Sequence, residues 1–399
     1  MGSDSVLYLT RVAQGDTIRI GVDVSWGGSI VELSWNGMDF VNRFDAGREI
    51  QLALYDGNQS YDFTGKTAVY GWDPVQAGDR YGHGSPVLVA HADTDSIYTE
   101  TQPNEWYPDN KGGGPHTPIS TDTRIKQWIS FVAGQPRVVR VHYRITHNGG
   151  DTHANSFQEF PAVYVDLRFN RFVYYDGAAP WKNDSLRSVI ANKNPRGPLL
   201  YMAEDWAAFV NDSDIGLSVY VPHQYHYGLT RNFSGTSGPT GSGTNYYRPA
   251  TYFSLGPNAV IEGDVYLVVG DYHAARASIY ALRKQSLGRD PFAPLGYLDH
   301  PSSGDRVRRT AAVSGWAFDN VGVTGVQVVV DGKVTGTATY GRARPDVRRE
   351  FPNAPLQIGF NYTLDTSNLM NGEHTLQIQV TDSTGNVALF PTCLFSVAN

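Results

Sequence analysis

The sequence predicts an all-β protein, a large antiparallel β-sandwich followed by a smaller sandwich. Three observations carry that prediction. Apolar and polar residues alternate through much of the chain, the two-residue period of half-buried strands. The composition suits strands and turns, with 42 Gly, 24 Tyr, 17 Phe and 8 Trp in 399 residues. A Pro- and Gly-rich stretch, 286–295, breaks the alternation late in the chain, and short strands then resume with a tighter rhythm. The expected units are residues 1–285 and 296–399, with 286–295 as a linker.

Ile18, Ile20, Val22 and Val24 share one face of the first clear strand, opposite Arg19, Gly21 and Asp23. Gly27-Gly28 turns the chain into a strand over 29–35, and Asn36-Gly37 closes a hairpin onto 39–41. The strand over 48–55 sends Ile50, Leu52 and Leu54 one way and Gln51, Ala53 and Tyr55 the other. Further strands are expected over 86–92, 96–101, 123–132, 137–146, 157–169, 171–175, 215–221, 251–255 and 260–269. Loops rich in Gly, Pro, Asn and Ser separate them, notably 109–118 and 234–244. Ala275, Ile279 and Leu282 recur at helical spacing, so one helix is expected over 272–285. Roughly fifteen strands in one run must close or stack to hide their edges.

Beyond the linker, strands are expected over 313–318, 323–331, 334–340, 358–364, 375–381 and 387–397. About seven strands in about a hundred residues suit an immunoglobulin-like sandwich. Cys393 is the single cysteine, so the chain forms no internal disulfide and no thiolate metal site. A net charge of −7 and a pI near 5.9 leave no basic footprint for nucleic acid. No apolar run is long enough to span a bilayer, so membrane insertion is not expected. Met1-Gly2-Ser3 resembles an expression start, and a removed leader with an extracellular or periplasmic location is the expectation.

Two resemblances follow from particular segments. Gly315–Val323 (GWAFDNVGV), Val328–Gly332 (VVVDG), Tyr340–Val347 (YGRARPDV) and Asn371–Asn386 (NGEHTLQIQVTDSTGN) resemble bacterial Ig-like modules. That likeness implies a spacer or docking role. Gly27–Asn42 (GGSIVELSWNGMDFVN), the strand count and Gly263–Asp271 (GDVYLVVGD) resemble the β-supersandwich of the galactose-mutarotase-like superfamily. This second likeness implies a carbohydrate ligand on one sheet face. The superfamily spans epimerases, glycoside hydrolases and polysaccharide lyases, so it selects no reaction.

The stretch 42–79 is the first candidate for a ligand wall. It holds Asp45, Arg48 and Gln51, then Trp72, Asp73, Gln76 and Asp79, around a Gly- and Tyr-rich loop. Planar donors, matched amides and a flat apolar ring suit a sugar, and a turn network in a β protein suits them equally. Gln51 has the parity to face a cleft, whereas Arg48 has that of the core set.

A hydrolase needs two carboxyl groups across the scissile bond. Glu105, beside Trp106 and Tyr107, is the first choice for the acid, with Asp79 or Glu159 as base or nucleophile. Loop packing would explain Glu105 as well. Glu159 has core parity on a regular strand, and a bulge near Pro161 would turn it towards a cleft. Trp206 follows Glu204-Asp205 and lines the site or fills the core.

Arg140, His142 and Arg144 share one strand face, either solvated or gripping a carboxylated sugar. No cofactor is expected and a catalytic metal has little support. His147, Asp151 and His153 flank a Gly-Gly turn and could meet around an ion. Asp319, Asp382 and Asn386 could bind calcium and are more simply turn formers. The expected function is an extracellular enzyme on a poly- or oligosaccharide. Glycoside hydrolysis leads, ahead of a uronate-directed polysaccharide lyase or a non-catalytic binder. Oligomeric state is not legible.

Overall fold

The computed structural model describes residues 5–56, 71–111, 117–190, 199–285, 289–351 and 354–399. Most of the Gly- and Tyr-rich loop within 42–79, and residues 286–288 of the expected linker, lie outside the described residues. Among the described residues the strands form four sheets, of eleven, nine, four and six strands. The main path of the first runs Val6–Ala13, Asp16–Asp23, Ser29–Trp35, Ile50–Ala53, His153–Asp166, Thr244–Leu255, Tyr225–Phe233 and Leu199–Tyr201. Three two-residue strands join it at Met38–Asp39, Pro74–Val75 and Asn104–Glu105. The second runs Arg187–Ile190, Arg171–Tyr174, Trp206–Val210, Ile215–Tyr220, Val260–Asp271, Val138–His147, Thr123–Phe131, Ser96–Thr101 and Val87–Ala92.

Strand parity decides what each face does. Ile50, Leu52 and Leu54 of the first sheet and Val139, Val141, Tyr143 and Ile145 of the second are buried in one shared core. The expected helix forms over Tyr272–Arg283, with the Asp271 side chain capping the N–H groups of His273 and Ala274. It packs Ala275, Ile279 and Leu282 on the outer face of the second sheet, over Trp206, Tyr220 and Val268.

A bulge re-aims the longest strand, His153–Asp166. Glu159 pairs with Ala53 and Ala162 with Gln51, so three steps on one strand oppose two on the other. Phe160 points into the core ahead of the extra residue, and Val163 and Val165 do so after it. The outward set therefore switches from Phe157 and Glu159 to Tyr164.

Several strands left no pattern in the sequence. Trp206–Val210 is buried at every position, so it shows no alternation. In Tyr225–Phe233 the register shifts between Tyr225 and Gly228, and Pro249 sits opposite Gly228 inside Thr244–Leu255. Pro249 and Gly228 thus hide two adjacent strands of the first sheet.

The last two sheets begin at Leu295 and enclose a second core that includes Val313, Val328, Phe360, Ile378 and Phe395. The run expected as one strand over 334–340 is two, Lys333–Thr337 and Thr339–Ala343, in different sheets. Together these sheets make the immunoglobulin-like sandwich. Aromatic contacts tie it to the large one, Tyr225 against Phe318 and Tyr227 against Phe351. The chain between them is packed, with Asp290 at 1% and Phe292 at 0% exposure.

Candidate functional site

A cleft of about 490 Å³ opens on the outer face of the eleven-stranded sheet. Neighbouring strands supply its floor through their outward residues: Tyr55, then Phe157, Glu159 and Tyr164, then Tyr246 and Arg248, then Arg231 and Phe233. Trp106, Tyr107, Gly47 and Val75 add to its lining. The wall needs a glycine at 47, because a Cβ there would stand 2.5 Å from the Trp106 ring.

Among the described residues, Glu159 is the only carboxylate that lines the cleft. Its Oε1 accepts from the Tyr246 hydroxyl at 2.7 Å and the Tyr55 hydroxyl at 3.2 Å. Arg248 stands 3.6 Å from the same oxygen, its guanidinium 3.8 Å from the centre of the Phe157 ring. The Nε atoms of Arg231 and Arg248 are both buried and have no hydrogen-bond partner. Buried donors are normally satisfied, which sets these two apart among the lining residues. Burial, with the Glu159 charge beside it, holds the Tyr246 phenol well above its ordinary value. Tyr246 therefore stays protonated at neutral pH and can donate.

Of the residues singled out in the sequence, Glu159, Gln51 and Trp106 line this cleft. Gln51 does so with its amide committed, donating to the Ala46 and Arg48 carbonyls and accepting from the Ala77 N–H. Gln76 is equally occupied, accepting from Leu52 N–H and donating towards the carbonyls of Gly27 and Gly28. Arg48 donates to the Ser242 carbonyl and lies over Phe44. Asp79 organises a turn, accepting from the N–H groups of Tyr81 and His83 and contacting the His83 ring.

Glu105 is not among the lining residues. It shares Lys111 with Asp73, whose carboxyl is raised by burial and then by Glu105. Trp206 lies under the helix, its indole N–H donating to Glu204 at 2.7 Å. His142 and Arg140 stand on the outer face of the second sheet, both on Asp264. The cleft residues that sequence reasoning missed are Tyr164, Arg231, Tyr246 and Arg248, while Tyr55 had its outward parity and no assigned role. Alternation of Tyr246 and Arg248 was the available signal, and Pro249 cut it short.

Trp72 stacks on His153 at 3.8 Å, beside a group that could hold a cation. Asp122, His147 and His153 each bring a ligand atom within 4.8 Å of the others. His147 Nδ1 donates to the Gly256 carbonyl at 2.9 Å, which turns Nε2 towards this group. That buried Nε2 has no hydrogen-bond partner and lies 3.2 Å from Asp151 and 3.5 Å from Asp122. Imidazole and carboxylate donors of this kind suit zinc.

A family described as "Bacterial Ig domain" matches residues 297–346. No curated protein matches the chain by sequence. Among solved structures, the Slr1438 protein from Synechocystis sp. PCC 6803 is 12% identical, covering 66% of this chain and 96% of its own, with a TM-score of 0.40. A candidate aldose 1-epimerase from Klebsiella pneumoniae is 11% identical over 72% of this chain and 93% of its own, at 0.39. A polysaccharide lyase is 11% identical over all of this chain at a TM-score of 0.30, and this chain spans 48% of its length. Of the two resemblances legible in the sequence, the bacterial Ig module recurs in the family match over residues 297–346.

Proposed function

We propose that this chain is an extracellular carbohydrate-active protein whose cleft takes an acidic saccharide and opens it by β-elimination. One observation carries the reading: two guanidinium groups, Arg231 and Arg248, line a cleft in which Glu159 is the only carboxylate among the described residues. A pair of guanidinium groups matches a uronate carboxylate, and aromatic side chains match the C–H faces of sugar rings. Hydrolysis needs a second carboxyl group, and the other two candidates, Glu105 and Asp79, are bound up in Lys111 and a turn.

In this scheme Arg231 and Arg248 neutralise the uronate and make the C5 proton removable. Glu159 takes that proton, the C4–O4 bond breaks, and a C4=C5 double bond forms. Tyr246 gives its hydroxyl proton to the leaving O4, and the proton on Glu159 passes back to the Tyr246 oxygen. The Ig-like module fits a spacer role at a surface.

Incubation with a panel of uronate polymers tests the reading. The absorbance of the unsaturated uronate should appear with wild-type protein and disappear in Glu159→Gln. Reducing ends without that absorbance would establish a hydrolase instead, and saturable binding without turnover a binder.

A further inference from the structure

At the junction of the two sandwiches three carboxylates meet away from solvent. Asp290, Asp319 and Asp382 are 1%, 7% and 2% exposed, and each offers an oxygen within 4.8 Å of the others. They come from three places in the chain. Asp290 lies in the packed connecting segment, two residues before Phe292 of the large core. Asp319 follows the strand Thr310–Phe318, and Asp382 ends Gly372–Asp382.

Turn formation accounts for only some of their oxygens. Asp382 accepts from the N–H groups of Thr384 and Asn386, and Asp319 from Val321 N–H and the Tyr225 hydroxyl. Asp290 Oδ1 accepts from Phe292 N–H, but its Oδ2 is buried with no hydrogen-bond partner. Asn320, beside Asp290, donates through Nδ2 to the His223 carbonyl and leaves its own buried Oδ1 without a partner. Among the described residues no Lys, Arg or His makes an ion pair with any of the three. Three carboxylates desolvated together without a counter-charge are costly, and a dication removes most of that cost.

We propose that Asp290, Asp319 and Asp382 hold a hard divalent cation, calcium by the all-oxygen character of the set, which clamps the small sandwich onto the large one. The orphaned Oδ2 of Asp290 is the donor left free for the ion. Bound metal would tie together the connecting segment, both sheets of the small sandwich and, through Tyr225, the first sheet of the large one.

The test uses the full chain stripped of metal with a chelator. Titration with calcium chloride in a calorimeter should show one saturable site, and the melting temperature should rise with calcium. Asp290→Asn and Asp382→Asn should each weaken calcium roughly tenfold or more, because ligand charge sets affinity. Asp122→Asn, at the histidine group, should leave the titration unchanged.

Terbium provides a second readout that does not depend on the carboxylate variants folding. Tyrosine-excited terbium luminescence should be displaced by calcium and cut by Tyr225→Phe. Absence of calcium binding by the folded wild type, or binding that survives Asp290→Asn and falls in Asp122→Asn, would overturn the proposal. So would terbium luminescence indifferent to Tyr225→Phe.

Discussion

The cleft floor and the network around Gln51, Gln76, Asp79 and Glu105 are built from the same kinds of residue, a few strands apart. They differ in how far their hydrogen bonds are spent. In the network, Gln51, Gln76 and Asp79 each serve backbone groups that would otherwise be orphaned. On the cleft floor, the Nε groups of Arg231 and Arg248 find nothing. Residue type therefore marks where ligands can be bound, and amides committed to backbone groups, as in Gln51 and Gln76, mark where they are not expected.

Removing the cation from the network should have the largest effect. Lys111→Met leaves Asp73 and Glu105 buried side by side, and the expected loss is about 3–5 kcal/mol in urea unfolding. If stability were unchanged, the triad would not be holding the fold.

In the cleft the pattern should invert. Arg248→Ala is expected to lower turnover or affinity for an acidic saccharide at least about a hundredfold, roughly 2.7 kcal/mol. Its unfolding midpoint should move far less than that of Lys111→Met. Equal losses in both would erase the distinction between the two regions.

Gln76→Ala should cost about 1–3 kcal/mol, since Leu52 N–H loses its acceptor inside the core. Saccharide affinity of the folded variant, read by calorimetry, should stay near wild type.

The smallest effect is a pH slope. Burial raises Asp205 to about 7, against an ordinary value near 4. The folded state then keeps a proton that the unfolded chain has lost. The stability from this group is present in full below about pH 4, declines as pH climbs and is gone above about 7. Asp205→Asn should flatten that slope and melt about 2 °C or more above wild type at pH 8.

Much of this contrast was legible in the sequence. Parity placed Gln51 and Tyr55 opposite Ile50, Leu52 and Leu54, as the structure has them. The bulge near Pro161 lies just after Glu159, so it reverses the later side chains and brings Tyr164 onto the cleft face beside Phe157 and Glu159. The C-terminal rhythm gave the small sandwich.

What escaped lies on Tyr225–Phe233 and Thr244–Leu255, where Pro249 and Gly228 interrupt the alternation. Those strands carry Arg231, Tyr246 and Arg248, so the cations of the cleft were hidden with them. Trp106 was legible as an aromatic wall. Glu105 beside it was not legible as the partner of Lys111, since that pairing depends on how the loop folds back.

One comparison tests the central claim most directly. An oligosaccharide rich in uronates and the same oligosaccharide with its carboxylates reduced to alcohols are titrated into wild-type protein and Arg248→Ala. The account predicts saturable binding of the acidic form by wild type, with much weaker binding in the other three combinations. Equal affinity for both forms, or an acidic ligand indifferent to Arg248→Ala, would contradict it.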